Sequence, residues 1–236
     1  PDPASPLLDA IPAGTAELCD GVRHDQRGVA RPAGAACDIG AVERGTVPAP
    51  ATLHVVVDDA SDAVDAVPGD GICQTASTSC TLRAAITESN LAGGVLTIDI
   101  AAGTAPVLSL VGSDDTNQGG DLDITANVTI AGNGNTVTAA NGDRILHVGA
   151  GSSQPQVILR DIALTGGTVT GDGGGILVED GTIDLVHSTV KGNHANGRGG
   201  GIWQETGALA LAGGVVVSHN TAGGIGGGIG TIGGSA

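Results

Sequence analysis

The sequence predicts an all-β fold: a right-handed parallel β-helix with three short strands per coil, about 26 residues per coil and a short N-terminal capping helix. A repeat, the residues inside it and the composition support this prediction. The string Gly-Gly-Gly-Ile occurs at 173–176, 199–202 and 226–229, at nearly equal intervals. A regular period of this kind is typical of stacked units, because a unit this thin can bury its apolar face only against the next one.

Within one repeat, the runs 175–178, 182–186 and 188–191 are rich in β-branched and aliphatic residues and are separated by Gly, Asp, Asn and His. This pattern predicts three strands and three turns in each coil. A leucine-rich solenoid of similar period would need Leu-x-x-Leu-x-Leu strands, which this repeat lacks. Stacked parallel strands are therefore the favoured architecture.

The composition supports the same fold and excludes some partners. Phe, Tyr and Met are absent, Trp203 is the only aromatic residue, and 42 residues are glycine, so small aliphatic side chains must fill a narrow interior. The net charge of −16 would repel nucleic acid and anionic lipid surfaces. No apolar run is long enough to predict a membrane span.

The four cysteines fall into two local pairs, Cys19 with Cys37 and Cys73 with Cys80. Their spacing does not fit a C-x-x-C zinc or redox motif. Two disulfides are therefore expected. The local pairing is the simplest of the three connectivities that four cysteines allow. Disulfides persist in oxidising compartments, which predicts a secreted or cell-surface protein.

Calcium is the one cofactor that the sequence suggests. Two dense groups of oxygen ligands could hold the ion in loops: Asp58, Asp59, Asp62, Asp65 and Asp70, and then Asp114, Asp115, Asn117, Asp121 and Asp123. Neither group fits the EF-hand pattern or the nonapeptide repeat of calcium-binding β-helices. Solvated acidic loops are the alternative interpretation of both groups.

Turn residues recur in phase with the repeat. The segments 190–193 and 217–220 both read Val-x-x-Asn, which predicts that Asn193 and Asn220 form a hydrogen-bonded turn ladder with left-handed backbone geometry. His187, His194 and His219 lie near these turns without a metal-ligand spacing, and we expect them to be exposed turn residues.

The Gly-Gly-Gly-Ile and Val-x-x-Asn signals resemble the GGA[IL] and FxxN repeats of polymorphic outer-membrane proteins, with valine where that family prefers Phe. Residues 65–73, followed by Cys80-Thr-Leu-Arg-Ala-Ala-Ile86, resemble the CSLREA-type segment that opens many secreted bacterial β-helices, with Thr81 replacing Ser and Ala84 replacing Glu. Residues 1–43 are similar to the choice-of-anchor Q segment that closes such proteins, most clearly at Cys37-Asp-Ile-Gly-Ala-Val-Glu43.

These resemblances imply a domain order in which a closing segment precedes an opening one. We predict a closing segment at 1–43, a Pro/Ala linker at 44–52, an N-terminal cap with a disulfide loop and short helix at 53–97, and coils at 98–236. The helix would cover the first coil with Leu82, Ala85 and Ile86, and Arg83 would pair with a neighbouring aspartate. The open end of the last coil would then stack against another unit.

The sequence favours an extracellular structural or adhesive protein, a β-helical rod or filament subunit that assembles head-to-tail or belongs to a tandem polypeptide. Its expected partners are copies of itself, surface glycans or other cells. A polysaccharide lyase or glycosidase is the alternative, because β-helices carry such enzymes. No catalytic residue is predicted: the basic residues do not cluster in sequence, and Trp203 is the only candidate platform for a sugar ring. A carboxylate pair would require alignment among Asp161, Asp172, Asp180 and Asp184.

Overall fold

The computed structural model describes residues 11–12, 36–37, 53–91, 96–112 and 115–232. The chain forms two compact units, Pro1–Ala51 and Thr52–Ala236. In the first unit, β1 (Ile11–Pro12) pairs antiparallel with β2 (Ala36–Cys37). Cys19 and the side chain of Cys37 lie outside the described residues, so the predicted Cys19–Cys37 disulfide stays a prediction.

The second unit starts with β3 (Leu53–Val57), a disulfide loop and helix α1 (Leu82–Leu91). The later strands follow in chain order, with a short 3₁₀ turn at Ala150–Ser152: β4 (Leu96–Ile100), β5 (Val107–Leu108), β6 (Leu122–Ile124), β7 (Val128–Ala131), β8 (Thr136–Ala139), β9 (Leu146–Val148), β10 (Gln156–Arg160), β11 (Ala163–Thr165), β12 (Thr168–Val169), β13 (Ile176–Val178), β14 (Thr182–Val186), β15 (Thr189–Lys191), β16 (His194–Ala195), β17 (Ile202–Gln204), β18 (Ala208–Ala212), β19 (Val216–Ser218), β20 (Thr221–Ala222) and β21 (Ile229–Thr231).

These strands stack as a parallel β-solenoid. Among the described residues of this unit, the strand orders are β18-β14-β10-β7-β4-β3, β19-β15-β11-β8-β5, β21-β17-β13-β9-β6 and β12-β16-β20. Neighbours in each sheet run parallel, and each strand pairs with its equivalent in the next coil. The predicted all-β solenoid of parallel strands is therefore confirmed.

The prediction of three strands per coil was wrong for the later coils. A fourth ladder joins β12, β16 and β20, each two residues long, between the asparagine turn and the glycine corner. The pairs Thr168–Val169, His194–Ala195 and Thr221–Ala222 resemble turn residues in the sequence because they are short and lie beside Asn and Gly. Small and β-branched residues nevertheless allow the backbones to pair there.

Coil length is nearly constant only in the C-terminal part. Gln156 pairs with Thr182, and Thr182 pairs with Ala208, so these two coils have the same length and agree with the predicted period. An earlier coil is longer, because Leu96 pairs with Val128 across a wider interval of sequence. The first step is longest because the disulfide loop and α1 are inserted between β3 and β4.

The core consists of stacked aliphatic side chains. Alternate residues of each strand point inward, as the burial pattern of β4 and β7 shows. One stack in the longest sheet runs through register-paired positions Ile98, Ile130, Leu159, Leu185 and Leu211. The members before Leu211 are essentially fully buried. Fully burying one such side chain contributes roughly 1.5–3 kcal/mol, so the repeated stack can replace an aromatic core.

The glycine motif has a steric reason at each corner. The first glycine of two repeats, Gly173 and Gly199, has positive φ values of 70° and 61°, which favour glycine. A Cβ on the third glycine, Gly175, would lie 2.7 Å from the carbonyl oxygen of Gly201 in the next coil. The positive φ recurs at Gly226, and the close approach recurs at Gly201, where a Cβ would lie 2.5 Å from the carbonyl oxygen of Gly228; stacking of one corner on the next therefore explains why the triplet repeats.

Helix α1 covers the first coil, as the sequence predicted. Its residues 82–89 are buried, and the helix contacts β3, β4 and β6. The Cys73–Cys80 disulfide closes the preceding loop, with a Cα–Cα distance of 5.2 Å, and this confirms the local pairing for these two cysteines. No helix in the described ranges combines the length and apolar character required to cross a bilayer.

We predict that Leu159→Ala lowers the free energy of unfolding of the chain by about 2–5 kcal/mol, because it leaves a cavity in the middle of the aliphatic stack. Leu211→Ala is the matched control, since Leu211 belongs to the same stack but is 46% exposed. We expect a loss below about 1 kcal/mol for it. Urea denaturation followed by circular dichroism measures the free energy of unfolding of both variants. Equal losses would contradict the expectation that Leu211 is less buried than Leu159.

Candidate functional site: an acidic cleft on one sheet

The candidate site lies on the sheet β21-β17-β13-β9-β6, which we call the cleft sheet. The middle residue of each strand points away from the core, because its two neighbours point inward. Register pairing aligns these residues in one outward column: Asp123, His147, Leu177, Trp203 and Gly230. The column therefore changes from ionisable side chains in the first coils to apolar ones in the later coils.

A cleft of about 500 Å³ opens beside the first part of this column. Most of its lining residues are polar or glycine, and they come from successive coils: Gly112, Asp115, Asp121, Gly142, Asp143, Arg144, His147, Val169, Thr170, Gly171 and Leu177. Three carboxylates face one guanidinium and one imidazole in this lining. The cleft is therefore a concave, acidic and partly desolvated site of the kind that binds small ligands.

Asp121 and Arg144 form the ion pair at the base of the cleft. Arg144 Nη1 lies 2.8 Å from Asp121 Oδ2, and the two side chains are only 16% and 6% exposed. Burial raises the pKa of Asp121 to about 6; Arg144 opposes this shift, and Asp123 and Asp143 reinforce it. This carboxyl group is thus poised to exchange a proton near neutral pH.

His147 lies between two carboxylates. Its Nδ1 is 3.2 Å from Asp123 Oδ1 and its Nε2 is 2.9 Å from Glu179 Oε2. Burial and the charge of Arg144 act to lower the pKa of His147, but the hydrogen bond with Asp123 and the charges of Asp121 and Asp123 outweigh them and raise it. The imidazole is therefore fixed in orientation at both nitrogens.

A buried ion pair between Arg83 and Asp62 fixes the loop that carries Asp115 and Asp121. Arg83 Nε lies 2.6 Å from Asp62 Oδ1, and both side chains are 0% exposed. Arg83 also donates hydrogen bonds to the carbonyl oxygens of Gly120 and Asp121. The predicted pairing of Arg83 with an aspartate is confirmed, and its further contacts connect the cap helix to the cleft.

The apolar end of the column is closed rather than open to a ligand. Trp203 is fully buried, and the Arg198 guanidinium lies 4.2 Å from its ring centroid. Asp172 fixes Arg198 in place, with Oδ2 accepting hydrogen bonds from Nε at 3.0 Å and Nη2 at 2.5 Å. The single aromatic ring of the chain therefore cannot serve as a stacking surface for a sugar.

The five aspartates predicted as calcium ligands separate into different contacts. Asp58 and Asp59 accept hydrogen bonds from the loop around Cys80, and Asp62 pairs with Arg83. Asp65 and Asp70 come together with Glu88, with potential ligand atoms within 4.8 Å of one another. Calcium binding stays a prediction, and only these two of the five contribute to a common group.

In the second acidic group, Asp114 lies outside the described residues. Asp115 and Asp123 lie together with His147. Asn117 is instead a buried structural residue that hydrogen-bonds both backbone groups of Asp123. The structure therefore brings part of this group into a mixed cluster with an imidazole.

The carboxylates considered for a hydrolase have separate local contacts. Asp172 binds Arg198, and Asp161 is exposed with its Oδ1 3.8 Å from His187 Nδ1. Asp180 accepts hydrogen bonds from Gly181 and Gln154, and Asp184 is exposed on β14. The carboxylates that line the cleft, by contrast, are Asp115, Asp121 and Asp143.

Asn193 and Asn220 connect three coils through their side chains. Asn220 Oδ1 accepts hydrogen bonds from the backbone N–H of Asn193 at 2.9 Å and from its Nδ2 at 3.1 Å. Asn193 Oδ1 in turn accepts one from the backbone N–H of Gly167. The left-handed backbone falls on the preceding residues, Gly192 and His219, and not on the asparagines as expected.

His194 also differs from its expected position in a turn. It lies in β16, where Nδ1 contacts Thr221 Oγ1 at 2.7 Å and Nε2 contacts Asn196 Oδ1 at 2.9 Å. His187 and His219 are exposed, with positive φ values of 50° and 55°. Two of these histidines therefore lie in turns, and the third lies in the short β12-β16-β20 ladder.

Sequence reasoning missed His147, Asp143 and Glu179. A signal was present, because Leu-Asp-Ile at 122–124 and Leu-His-Val at 146–148 share the pattern of one polar residue between two aliphatic ones. The interval between these two segments is shorter than the glycine repeat, however, and the glycine motif is absent there. Alignment on glycine therefore did not bring the two segments into phase.

The fold and this site define a parallel β-solenoid with an acidic cleft on one sheet. Comparisons of the chain with protein-family models, with curated proteins and with solved structures gave no match.

We predict that Arg83→Met destabilises the chain by about 3–5 kcal/mol, because it leaves the buried carboxylate of Asp62 without its partner. Arg160→Met is the matched control, since Arg160 is exposed on β10, and we expect a change within about 0.5 kcal/mol. Urea denaturation measures both variants. Similar values for the two would show that the buried pair does not hold the cap.

Proposed function

We propose that the chain is an extracellular structural or adhesive surface protein, a right-handed β-helical rod that assembles through the ends of its solenoid. The handedness follows from the general rule that parallel crossover connections in a sheet are almost always right-handed. The stacked coils, the disulfide and the surface of the last described coil support this function. The resemblance of the repeats and of residues 65–86 to secreted bacterial β-helices supports it further.

The observation that carries the proposal is the change of burial along the stacks. Leu185 is fully buried, whereas its stacking partner Leu211 in β18 is 46% exposed. The same change separates Ile202 at 0% from Ile229 at 36%. The last described coil thus presents aliphatic side chains and strand edges that a further parallel coil, of the same polypeptide or of another copy of the chain, would cover.

An extracellular location fits the chemistry of the chain. The Cys73–Cys80 disulfide closes the loop before the cap helix, and such bonds persist in oxidising compartments. The net charge of −16 keeps a rod soluble and disfavours nonspecific binding to nucleic acid. Copies of the chain, surface glycans and other cells are the proposed partners.

We expect the purified chain to self-associate with increasing concentration, as measured by size-exclusion chromatography with light scattering. Leu211→Lys should shift the equilibrium to the monomer, because a charge on the exposed coil opposes stacking. Val67→Lys is the control: Val67 is 59% exposed but lies between β3 and Cys73, far in sequence from the last coil, and its substitution should leave association unchanged. A monomer at every soluble concentration would overturn the assembly proposal.

The acidic cleft favours a second candidate function, a carbohydrate-active β-helix. Asp121, with its pKa raised to about 6, can act as a general acid, and Asp143 lines the same cleft as a candidate base. Arg144 and His147 add polar groups that could hold a hydroxyl-rich ligand. The buried position of Trp203 disfavours stacking of sugar rings and makes this the weaker candidate.

Incubation with a panel of polysaccharides tests this second function. Release of reducing or unsaturated ends would support it, and Asp121→Asn should then lower the rate by a factor of about 100 or more, the size of a lost general acid. Asp184→Asn, an exposed carboxylate on β14, is the control. Product formation that Asp121→Asn leaves unchanged would contradict a role of the cleft.

A further inference from the structure

We propose that Asp115, Asp123 and His147 form a binding site for a first-row divalent transition metal ion, with Zn²⁺ as the representative. One potential ligand atom from each residue lies within 4.8 Å of the other two. A tetrahedral Zn²⁺ site needs ligand atoms about 3.4 Å apart, from metal–ligand distances of about 2.1 Å, so the ligand atoms would have to approach one another by up to about 1.4 Å. This site does not depend on the rod function proposed above.

Two of the three ligands are held rigidly by the sheet. Asp123 and His147 are register partners on the adjacent strands β6 and β9, and their side chains are 0% and 11% exposed. The backbone of Asp123 is further fixed by Asn117 and by Asn90 at the end of α1. Asp115 is exposed on the loop that borders the cleft, so its carboxylate is accessible to an entering ion.

Glu179 supplies a feature that points to a metal rather than to a simple ion pair. Its Oε2 lies 2.9 Å from His147 Nε2, which directs Nδ1 towards Asp123 Oδ1 at 3.2 Å. Histidines that bind metals commonly donate their other ring N–H to a carboxylate, which fixes the tautomer and increases ligand basicity. In this arrangement the ion would replace the proton on Nδ1.

The charge of the surroundings also favours a cation. The ionisable groups in and around the cleft comprise more acidic than basic side chains: Asp115, Asp121, Asp123, Asp143 and Glu179 against Arg144 and His147. Arg144 is already paired with Asp121. A divalent ion would offset part of the remaining negative charge, and the open side of the cleft gives it a path from solvent.

The other candidate cluster in the described ranges differs in its donors. Asp65, Asp70 and Glu88 provide oxygen only, and Asp65 and Glu88 each accept two backbone N–H hydrogen bonds that already compensate their charge. An imidazole beside two carboxylates suits Zn²⁺, Ni²⁺ or Cu²⁺, whereas Ca²⁺ takes six to eight oxygens. The mixed cluster is therefore the site for a transition metal.

Isothermal titration calorimetry of the tag-free, EDTA-treated chain under non-reducing conditions tests the proposal. We expect Zn²⁺ to bind with one site per chain and more tightly than Ca²⁺. Glu179→Gln should weaken Zn²⁺ binding roughly 10- to 100-fold, as is usual when a carboxylate behind a metal-bound histidine is lost. His147→Gln should weaken it at least as much.

If His147→Gln fails to fold, Asp115→Asn still tests the site, because Asp115 is exposed on its loop and its substitution should leave the fold intact. It should lower affinity for Zn²⁺ at least tenfold while circular dichroism remains unchanged. Asp70→Asn in the oxygen-only cluster is the matched control and should bind Zn²⁺ like the parent chain. The proposal is overturned if Zn²⁺ does not saturate a site, or if Asp115→Asn and Asp70→Asn have the same effect.

Discussion

The buried ion pair between Arg83 and Asp62 is the interaction on which the first coils depend. Both side chains are 0% exposed, and Asp62 Oδ2 also accepts hydrogen bonds from the backbone N–H groups of Ser109 and Leu110. Arg83 meanwhile donates to the carbonyl oxygens of Gly120 and Asp121. One pair of charges thus joins the cap helix, the segment after β5 and the loop that borders the cleft. Desolvating two charges is costly, and the surrounding backbone dipoles offset that cost because nearly every donor and acceptor of the pair is used.

The same constraint explains how an acidic cleft can exist on a narrow solenoid. Regular coils such as β14 to β17 have only short turns between their strands and therefore lack a loop that could border a cleft. The insertion between β5 and β6 provides this loop, and Asn117 fixes it by hydrogen-bonding both backbone groups of Asp123. The ionisable residues are consequently concentrated in the early, irregular coils. In the later coils the outward column contains Trp203, which packs beneath the guanidinium of Arg198.

The parallel solenoid, the cap helix and one disulfide could be predicted because each has a local signal. Glycine triplets at corners mark positive φ and close backbone approach, and Leu82, Ala85 and Ile86 share one helical face. The fourth ladder could not be predicted, because two-residue strands carry no periodicity. The cleft was missed for another reason: Asp123 and His147 meet only if a coil shorter than the glycine repeat is recognised, and Glu179 reaches His147 from the following coil. Coil length varies wherever loops are inserted, and sequence spacing then no longer gives the register.

On the cleft sheet, the residues that pack the core and the residues that face outward can vary separately. In most globular domains, core packing and surface chemistry are more closely coupled. The first inward position stays aliphatic from coil to coil, as Leu122, Leu146, Ile176, Ile202 and Ile229, while the neighbouring outward position changes from Asp to His, Leu, Trp and Gly. Duplication or deletion of a C-terminal coil would change the length of the solenoid and leave the cleft untouched, because the cleft is built from earlier coils. Chemical specificity and molecular length can therefore evolve independently in this chain.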